Sequence, residues 1–407
     1  MASGATPTPS DRFDFVFITS NFTWGGSEEL WSEAAAALAE RGHRVTVYKN
    51  RLKAGDGNLA RLRALGCAMV ELARFPLLPK QVFSLFSRVA YPLSVAFQAL
   101  RLHLSLRMRR RPALVVISQG GNHDGWLHAT VCRRLGLRYV LLCQKASDQY
   151  WPDDRWLPYV RSVYEGATHA FFVAEHNRRL TEEQIGAPLA SASVVRNPFK
   201  VPFAAPQQWP PVDRGYRFAC VGRLYPSEKG QDLLLRVLAR DKWRRRAVSV
   251  TFYGTGNQSL SLEAMARHLE LPNVSFAGHV DDIAGLWGEH HALVLPSRAE
   301  GLPLVVVEAM LSGRVVIVTD VGGNAEVFDD GVSGFLAAAP TEASLDEAME
   351  CAWQRREEWP QIALRAAAAI RALVPADPSN EFAGQLLRIA GGQLPSAEWE
   401  VLEQAAE

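Results

Sequence analysis

Paired cysteines are missing from this chain. Five cysteines stand in 407 residues, at 67, 132, 143, 220 and 351, and no two form a CxxC pair. An odd, scattered set excludes a disulfide framework and a cysteine-held zinc site, and it fits a reducing compartment. The opening MASGATPTPSDRFDF has no basic patch followed by an apolar core, so no signal peptide is expected there. Nor is any apolar run clean enough to suggest a spanning helix. The most apolar stretch, residues 82–106, is interrupted by Arg88 and Pro92. With 48% hydrophobic and 21% charged residues, disorder, collagen and coiled coil are excluded as the dominant state.

Acidic residues are absent from one long segment. Residues 72–123 hold no Asp or Glu against eight Lys and Arg, and RMRRR at 107–111 closes its apolar part. Two readings stay open. One is a packed helix pair with a solvated basic end; the other is a surface, taken as residues 76–111, that lies on an anionic membrane. The net charge of the whole chain is only +1, which hides an asymmetry. Up to Pro198, 25 Lys and Arg stand against 16 Asp and Glu; beyond it, 19 stand against 27. Two halves of opposite sign suggest two domains with different partners. The basic half lacks a polybasic arm or an aromatic-interleaved motif, so no nucleic-acid partner is expected.

What is present is an alternation of short apolar runs with helix-compatible stretches. At roughly 150 residues per domain, the length allows two to three domains. In the first half, residues 13–19, 43–48, 112–118, 137–143 and 169–174 are nearly continuous apolar runs. Such runs suit a parallel sheet covered on both faces. Helical patterns lie at 27–41, 125–135 and 175–184. The second half repeats the scheme with strands YRFACVG, AVSVTFYG, NVSFAG, HALVLPS and RVVIVTD. Strand and helix alternating twice over predict two doubly wound α/β domains. Five prolines in residues 197–213 remove amide donors and mark an interdomain linker. We therefore expect a first domain at 1–198, a linker at 199–214 and a second domain at 215–375. Residues 376–407 would add a helix and tail that could return to the first lobe.

Four motifs could carry chemistry. SRAEGLPLVVVEAM, residues 297–310, follows an apolar strand and leads into a helix. Gly301 would let a ligand approach the backbone, Pro303 would suit the first helical turn, and free amides there would favour an anion. Glu300 and Glu308 bracket that turn, and carboxylates accept well from vicinal sugar hydroxyls; alternatively both are solvated at an ordinary junction. GRLYPSEKGQDLLL, residues 222–235, places Arg223 and Lys229 around a turn, where they could hold phosphate or simply face solvent. NFTWGGSE, residues 21–28, puts Gly25 and Gly26 before a helix, as a close approach or a bare tight turn. TDVGGNAE, residues 319–326, ends in Glu326, which could cap a helix or orient a ligand.

In this order and spacing the motifs, with YGTGNQ, NVSFAGHV and DDGVSGFL, resemble the retaining GT-B glycosyltransferases of family 4, the glycosyl transferases group 1 type. The second half matches closely over residues 218–347. The first matches more loosely, through GGSE and VVRNP. The resemblance implies a GT-B fold: α/β, two Rossmann-like domains facing across a cleft. It implies that Arg223 and Lys229, with Gly222, neutralise the donor diphosphate. Glu308 would hold the ribose and Glu300 the donor sugar. Gly301, Leu302, Pro303 and Leu304 would offer backbone contacts, and Tyr253, Gly254, His279 and Val280 would lie near the base. Gly25 and Gly26 would approach from the facing lobe. Catalysis would rest on Arg223, Lys229 and Glu300, with no metal and no resident cofactor. A UDP- or GDP-type sugar would be the co-substrate, and a glycan or lipid-linked molecule the acceptor.

The family often carries a histidine after the fifth strand; here YVLLCQKAS puts Gln144 there, which cannot act as an acid or base. His123 and His128 are possible substitutes, unless they are structural, and His123, Gln144, Trp151 and Asp153 form the expected acceptor wall. Asp153 and Asp154 are not read as a metal site. The reading is of a cytoplasmic enzyme, at most peripheral on the inner face of the membrane. The alternative is a non-catalytic sugar-nucleotide-binding protein of the same fold.

Overall fold

The computed structural model describes residues 12–21, 24–52, 56–72, 87–204, 206 and 208–393. Residues 76–86 of the basic stretch and the tail 394–407 lie outside the described residues. The chain divides into two compact units. The first takes in the described residues up to Val173, Asn177–Val195 and those from Asp377 on; the second takes in Ala174–His176 and Arg196–Ala376.

Seven parallel strands form the sheet of the first unit: β1 (Asp14–Thr19), β2 (Arg44–Lys49), β3 (Ala68–Glu71), β4 (Leu114–Gln119), β5 (Tyr139–Cys143), β6 (His169–Phe172) and β7 (Ala192–Val194). Their order is β3-β2-β1-β4-β5-β6-β7. Strand alternation splits β1 between two cores. Phe15 and Phe17 point into one face with Trp31, Leu38 and Val116. Val16 and Ile18 point into the other with Leu102, Leu106, Ile117 and Leu141. Covering the first face are the alanine-rich helix Glu29–Glu40 and the last described helix, Pro378–Ala390, which contributes Phe382, Leu386 and Ile389. Asp377 caps that last helix by accepting from the Asn380 amide at 3.0 Å.

The second unit has six parallel strands: β8 (Tyr216–Val221), β9 (Val248–Tyr253), β10 (Val274–Gly278), β11 (Ala292–Leu295), β12 (Val315–Thr319) and β13 (Phe335–Ala337). Their order is β10-β9-β8-β11-β12-β13. Phe218, Val250, Phe252, Val294 and Ile317 pack with the buried indoles of Trp243 and Trp359.

The apolar runs read from the sequence are strands here, trimmed by a residue or two at their ends. Three short strands of three or four residues, β3, β7 and β13, were not expected. Of the segment read as either a packed helix pair or a membrane surface, the described part holds one helix, Ser87–Met108, which runs past Pro92. The proline-rich stretch packs within the second unit. Phe199 and Phe203 stack at 5.9 Å and Val201 is buried. Arg371 donates to Phe203 O at 2.6 Å, and the fully buried Arg314 donates to Gln208 O at 2.9 Å. Arg217 likewise donates to Pro211 O at 3.3 Å; prolines cannot join a ladder, so guanidinium groups meet carbonyls of this segment instead.

Candidate functional site

In an open parallel sheet the place to bind a ligand is the carboxyl end of the strands where the strand order reverses. In the second unit that point lies between β8 and β11, and the two strongest sequence motifs follow those two strands. After β8 the chain passes Gly222 and Arg223, makes the one-turn helix Pro226–Lys229 and turns at Gly230. Gly230 has φ 64°, and a Cβ there would stand 1.8 Å from Pro296 O, so the loops after β8 and β11 touch through a position only glycine fits. Their backbones are joined as well. The amides of Arg298 and Ala299 both donate to Glu228 O, at 2.7 and 3.2 Å. The Arg298 guanidinium donates to both carboxylate oxygens of Asp232, at 2.6 and 2.9 Å. Burial pushes the Asp232 carboxyl up, but Arg298 outweighs it and holds the group below its ordinary value.

These contacts bring Lys229 against Glu300, with Nζ donating to Oε1 at 2.5 Å. Glu300 is buried, and Ser297 Oγ donates to the same oxygen at 2.7 Å. Ser297 is held in turn, its carbonyl accepting from Thr319 Oγ1 at 2.6 Å. The lysine keeps a rim of solvent: its side chain is 19% exposed against 6% for Glu300. Arg223 is exposed, and among the described residues no ion pair or hydrogen bond engages its guanidinium. The turn that carries it is fixed by Gln231 Nε2 donating to Arg223 O at 2.8 Å.

Beyond Glu300 come Gly301 and Leu302, both buried, then the helix Leu304–Leu311. Pro303 does not enter the first turn as expected. It is the N-cap, with extended ψ of 128°, because the residue before a helix still carries non-helical backbone. Glu308 is buried in this helix and accepts from the Lys200 amide at 3.0 Å. Near β9, Gly254 has φ 126°, and a Cβ would stand 2.1 Å from Gly222 O, which keeps the turns after β8 and β9 in contact. Tyr253 and Val280 are half-buried. His279 is exposed and lies 3.2 Å from Asp281. Glu326 takes the capping one of its two expected roles: it accepts from the amides of Glu175 and His176 at 3.0 and 2.6 Å.

The candidate residues of the first unit are more dispersed. Gly25 is extended and half-buried, and Gly26 is exposed. Directly behind them is a pair the sequence did not announce: Glu28 and Lys49, fully buried and in contact. Thr19 Oγ1 and Asn21 Nδ2 donate to Glu28 Oε1 at 2.8 and 2.9 Å, and Lys49 Nζ donates to Asn21 O at 3.2 Å. Gln144 is buried just past β5, its amide donating to Gln119 O at 3.2 Å. His123 is half-buried near Gln184 and the Tyr150 backbone, and burial pushes its pKa down. Trp151 is exposed. Asp153 is exposed and committed to Arg155, at 2.9 and 2.7 Å, whose guanidinium lowers its carboxyl to about 2. Among the described residues, no group of three His, Cys, Asp or Glu is placed to hold a metal ion. Ser297, Arg298 and Thr319 lie inside quoted motifs, yet their roles depend on contacts across the sheet that spacing does not reveal.

Two doubly wound units, the second with a cation and a carboxylate joined at its strand-order reversal, are the architecture of the GT-B fold. The chain belongs to the glycosyltransferases of the group 1, family 4-like kind. The family model for glycosyl transferases group 1 matches residues 215–355. The glycosyl transferase 4-like domain matches residues 25–198. Together they span most of the chain. A glycogen synthase of Mycobacterium tuberculosis is 29% identical over 238 residues, 57% of this chain and 51% of the relative. A D-rhamnosyltransferase, WbpZ of Pseudomonas aeruginosa, is 29% identical over 168 residues, 40% of this chain and 42% of the relative. The chain thus spans about half the length of these curated relatives. Among solved structures, Anabaena Alr3699/HepE, in complex with UDP and glucose, shares the fold. Its TM-score is 0.72 at 18% identity, covering 92% of this chain and 99% of that one.

Proposed function

We propose that this protein is a retaining glycosyltransferase. It moves a hexose-type sugar from a UDP- or GDP-type diphosphate donor to a hydroxyl of a glycan or lipid-linked acceptor, in cell-surface polysaccharide or glycolipid synthesis. The observation that carries the reading is the Lys229–Glu300 pair at the reversal of the second sheet, with Lys229 partly open to solvent.

Transfer breaks the bond between the anomeric carbon and a donor phosphate oxygen and forms one to the acceptor oxygen. The acceptor proton passes to the departing diphosphate. Negative charge gathers on that diphosphate, so the largest help comes from fixed donors aimed at it. Lys229 and Arg223 are the cations for this task, and the backbone at Gly301, Leu302, Pro303 and Leu304 supports them. Lys229 is balanced by Glu300 in this structure. A pyrophosphate would share the lysine and leave a Glu300 oxygen for a sugar hydroxyl, while Ser297 keeps the carboxylate in place. Glu308, held by the Lys200 amide, is assigned to the ribose. These groups supply the charge neutralisation without a metal or resident cofactor. Gln144, His123 and Trp151 are assigned to the acceptor, with Asp153 the weakest member because Arg155 occupies its carboxylate. The five free thiols support work in the cytoplasm.

The names of the relatives support sugar transfer, and the HepE complex supports UDP over GDP as the first donor to try. A thermal-shift screen with UDP, GDP, ADP and their sugars tests the reading. One nucleotide is expected to stabilise the native protein and to lose most of that effect in Lys229→Ala. No shift with any nucleotide would reject it.

A further inference from the structure

Over residues 96–108, the helix Ser87–Met108 is apolar on two opposite sides. Leu102 and Leu106 are buried in the first unit's core. About 180° round the helix, at 100° per residue, lies a second stripe. It consists of Phe97, Leu100, Leu104 and Met108, exposed by 38%, 55%, 45% and 80%. A helix on the surface of a globular protein ordinarily turns charged and polar residues outward. Here the outward arc over residues 97–108 is about 80° wide and apolar, and it ends in cations.

Those cations divide by contact. Arg109 is turned inward: it donates to Asp14 Oδ1 at 3.1 Å and to Thr46 Oγ1 at 2.8 Å, which ties the end of the helix to β1 and β2. Arg107 and Arg110 are exposed, and no ion pair or hydrogen bond engages them among the described residues. Residues 72–123 carry no Asp or Glu that would oppose an anionic surface.

We propose that this face is a docking surface for an anionic lipid bilayer. The helix lies in the plane of the headgroups with Phe97, Leu100, Leu104 and Met108 in the acyl boundary and Arg107 and Arg110 on lipid phosphates. The charge of the segment selects this occupant over a second copy or a protein partner, since both signs would be expected at a protein rim. The inference stands apart from the transfer reading: it uses none of the donor-site residues and is tested without a substrate.

The test is co-sedimentation of the full chain with vesicles of phosphatidylcholine, with and without phosphatidylglycerol. Binding is expected only with phosphatidylglycerol, and it should weaken as salt rises. Leu100→Glu and Leu104→Glu should each lower the partition coefficient by more than about tenfold. Arg107→Ala and Arg110→Ala should each lower it about fivefold. Leu260→Glu, at an exposed leucine of the second unit, should leave it unchanged. Equal binding to both vesicle types, or stripe variants that bind as wild type does, overturns the proposal. So does a stripe variant that changes the sedimentation coefficient without vesicles, because a second copy then covers the face. A large fall in its unfolding temperature without lipid overturns it too, because the stripe then packs on the chain itself.

Discussion

Each unit places a lysine against a glutamate at the carboxyl ends of its strands, and the two pairs are built for different work. In the first unit Glu28 follows β1, one of the two strands that flank the reversal of strand order, while Lys49 ends β2, one strand away from it. Their side chains are 3% and 0% exposed, and Thr19 and Asn21 add hydrogen bonds to the carboxylate. In the second, Lys229 and Glu300 come from the two loops that flank the reversal. The lysine side chain is 19% exposed, and its ammonium makes no hydrogen bond besides the one to Glu300 among the described residues. The same chemistry sealed on all sides holds a turn in place. Left open on one side, it can exchange a carboxylate for a phosphate.

Five substitutions and a titration would break or sharpen that contrast. The largest effect is expected from Lys49→Ala, which leaves Glu28 buried without its counter-charge. About 3–5 kcal/mol should be lost, read as a shift of the first unit's transition in urea. Lys229→Ala should instead act on function, lowering sugar transfer about a hundredfold. Its stability loss should be smaller than that of Lys49→Ala, because Glu300 keeps the Ser297 bond and a path to solvent. If Lys229→Ala unfolds the protein and Lys49→Ala does not, the assignment of the two pairs is reversed. Gly230→Ala comes next, at about 1–3 kcal/mol, since a side chain there meets both a left-handed backbone and Pro296 O.

Acid should separate the units more gently. Burial lowers His128 and His169 of the first unit to about 4, and burial with Arg217 nearby lowers His291 of the second to about 4. Each stays neutral when folded but takes a proton near 6.5 when unfolded. Their stabilisation is therefore complete above about pH 6.5 and is lost as pH falls from there toward 4. Urea midpoints between pH 7.5 and 5 should fall, more for the first unit with its two such groups, and His128→Gln should flatten the slope. Asp153→Asn is the smallest case. Both partners of that ion pair are fully exposed, so its removal should leave the urea midpoint within error.

Much of the fold was legible because a parallel sheet covered on both faces demands long apolar runs. β1, β4, β5, β8 and β12 have them. β3, β7 and β13 were not legible, because a strand of three or four residues at or near a sheet edge needs little apolar surface. The site was legible as motifs. Glycine, cation and carboxylate at fixed offsets after a strand are local features, so Arg223, Lys229, Glu300 and Glu308 could be named as candidates from spacing. Lys49 could not. It is the last residue of a strand, and a lysine there ordinarily turns to solvent. Only the arrival of Glu28 from a different segment makes it a buried charge.

The order of strands and helices, the division into two α/β halves and the residue types of the donor motif were set by local pattern, because burial and turn geometry act over a few residues at a time. Which lysine meets which glutamate, which arginine of RMRRR turns inward, and that the proline-rich stretch packs on Arg314 were decided by the tertiary structure. Those outcomes depend on distance through space between segments far apart in the chain, and a one-dimensional pattern does not encode that distance.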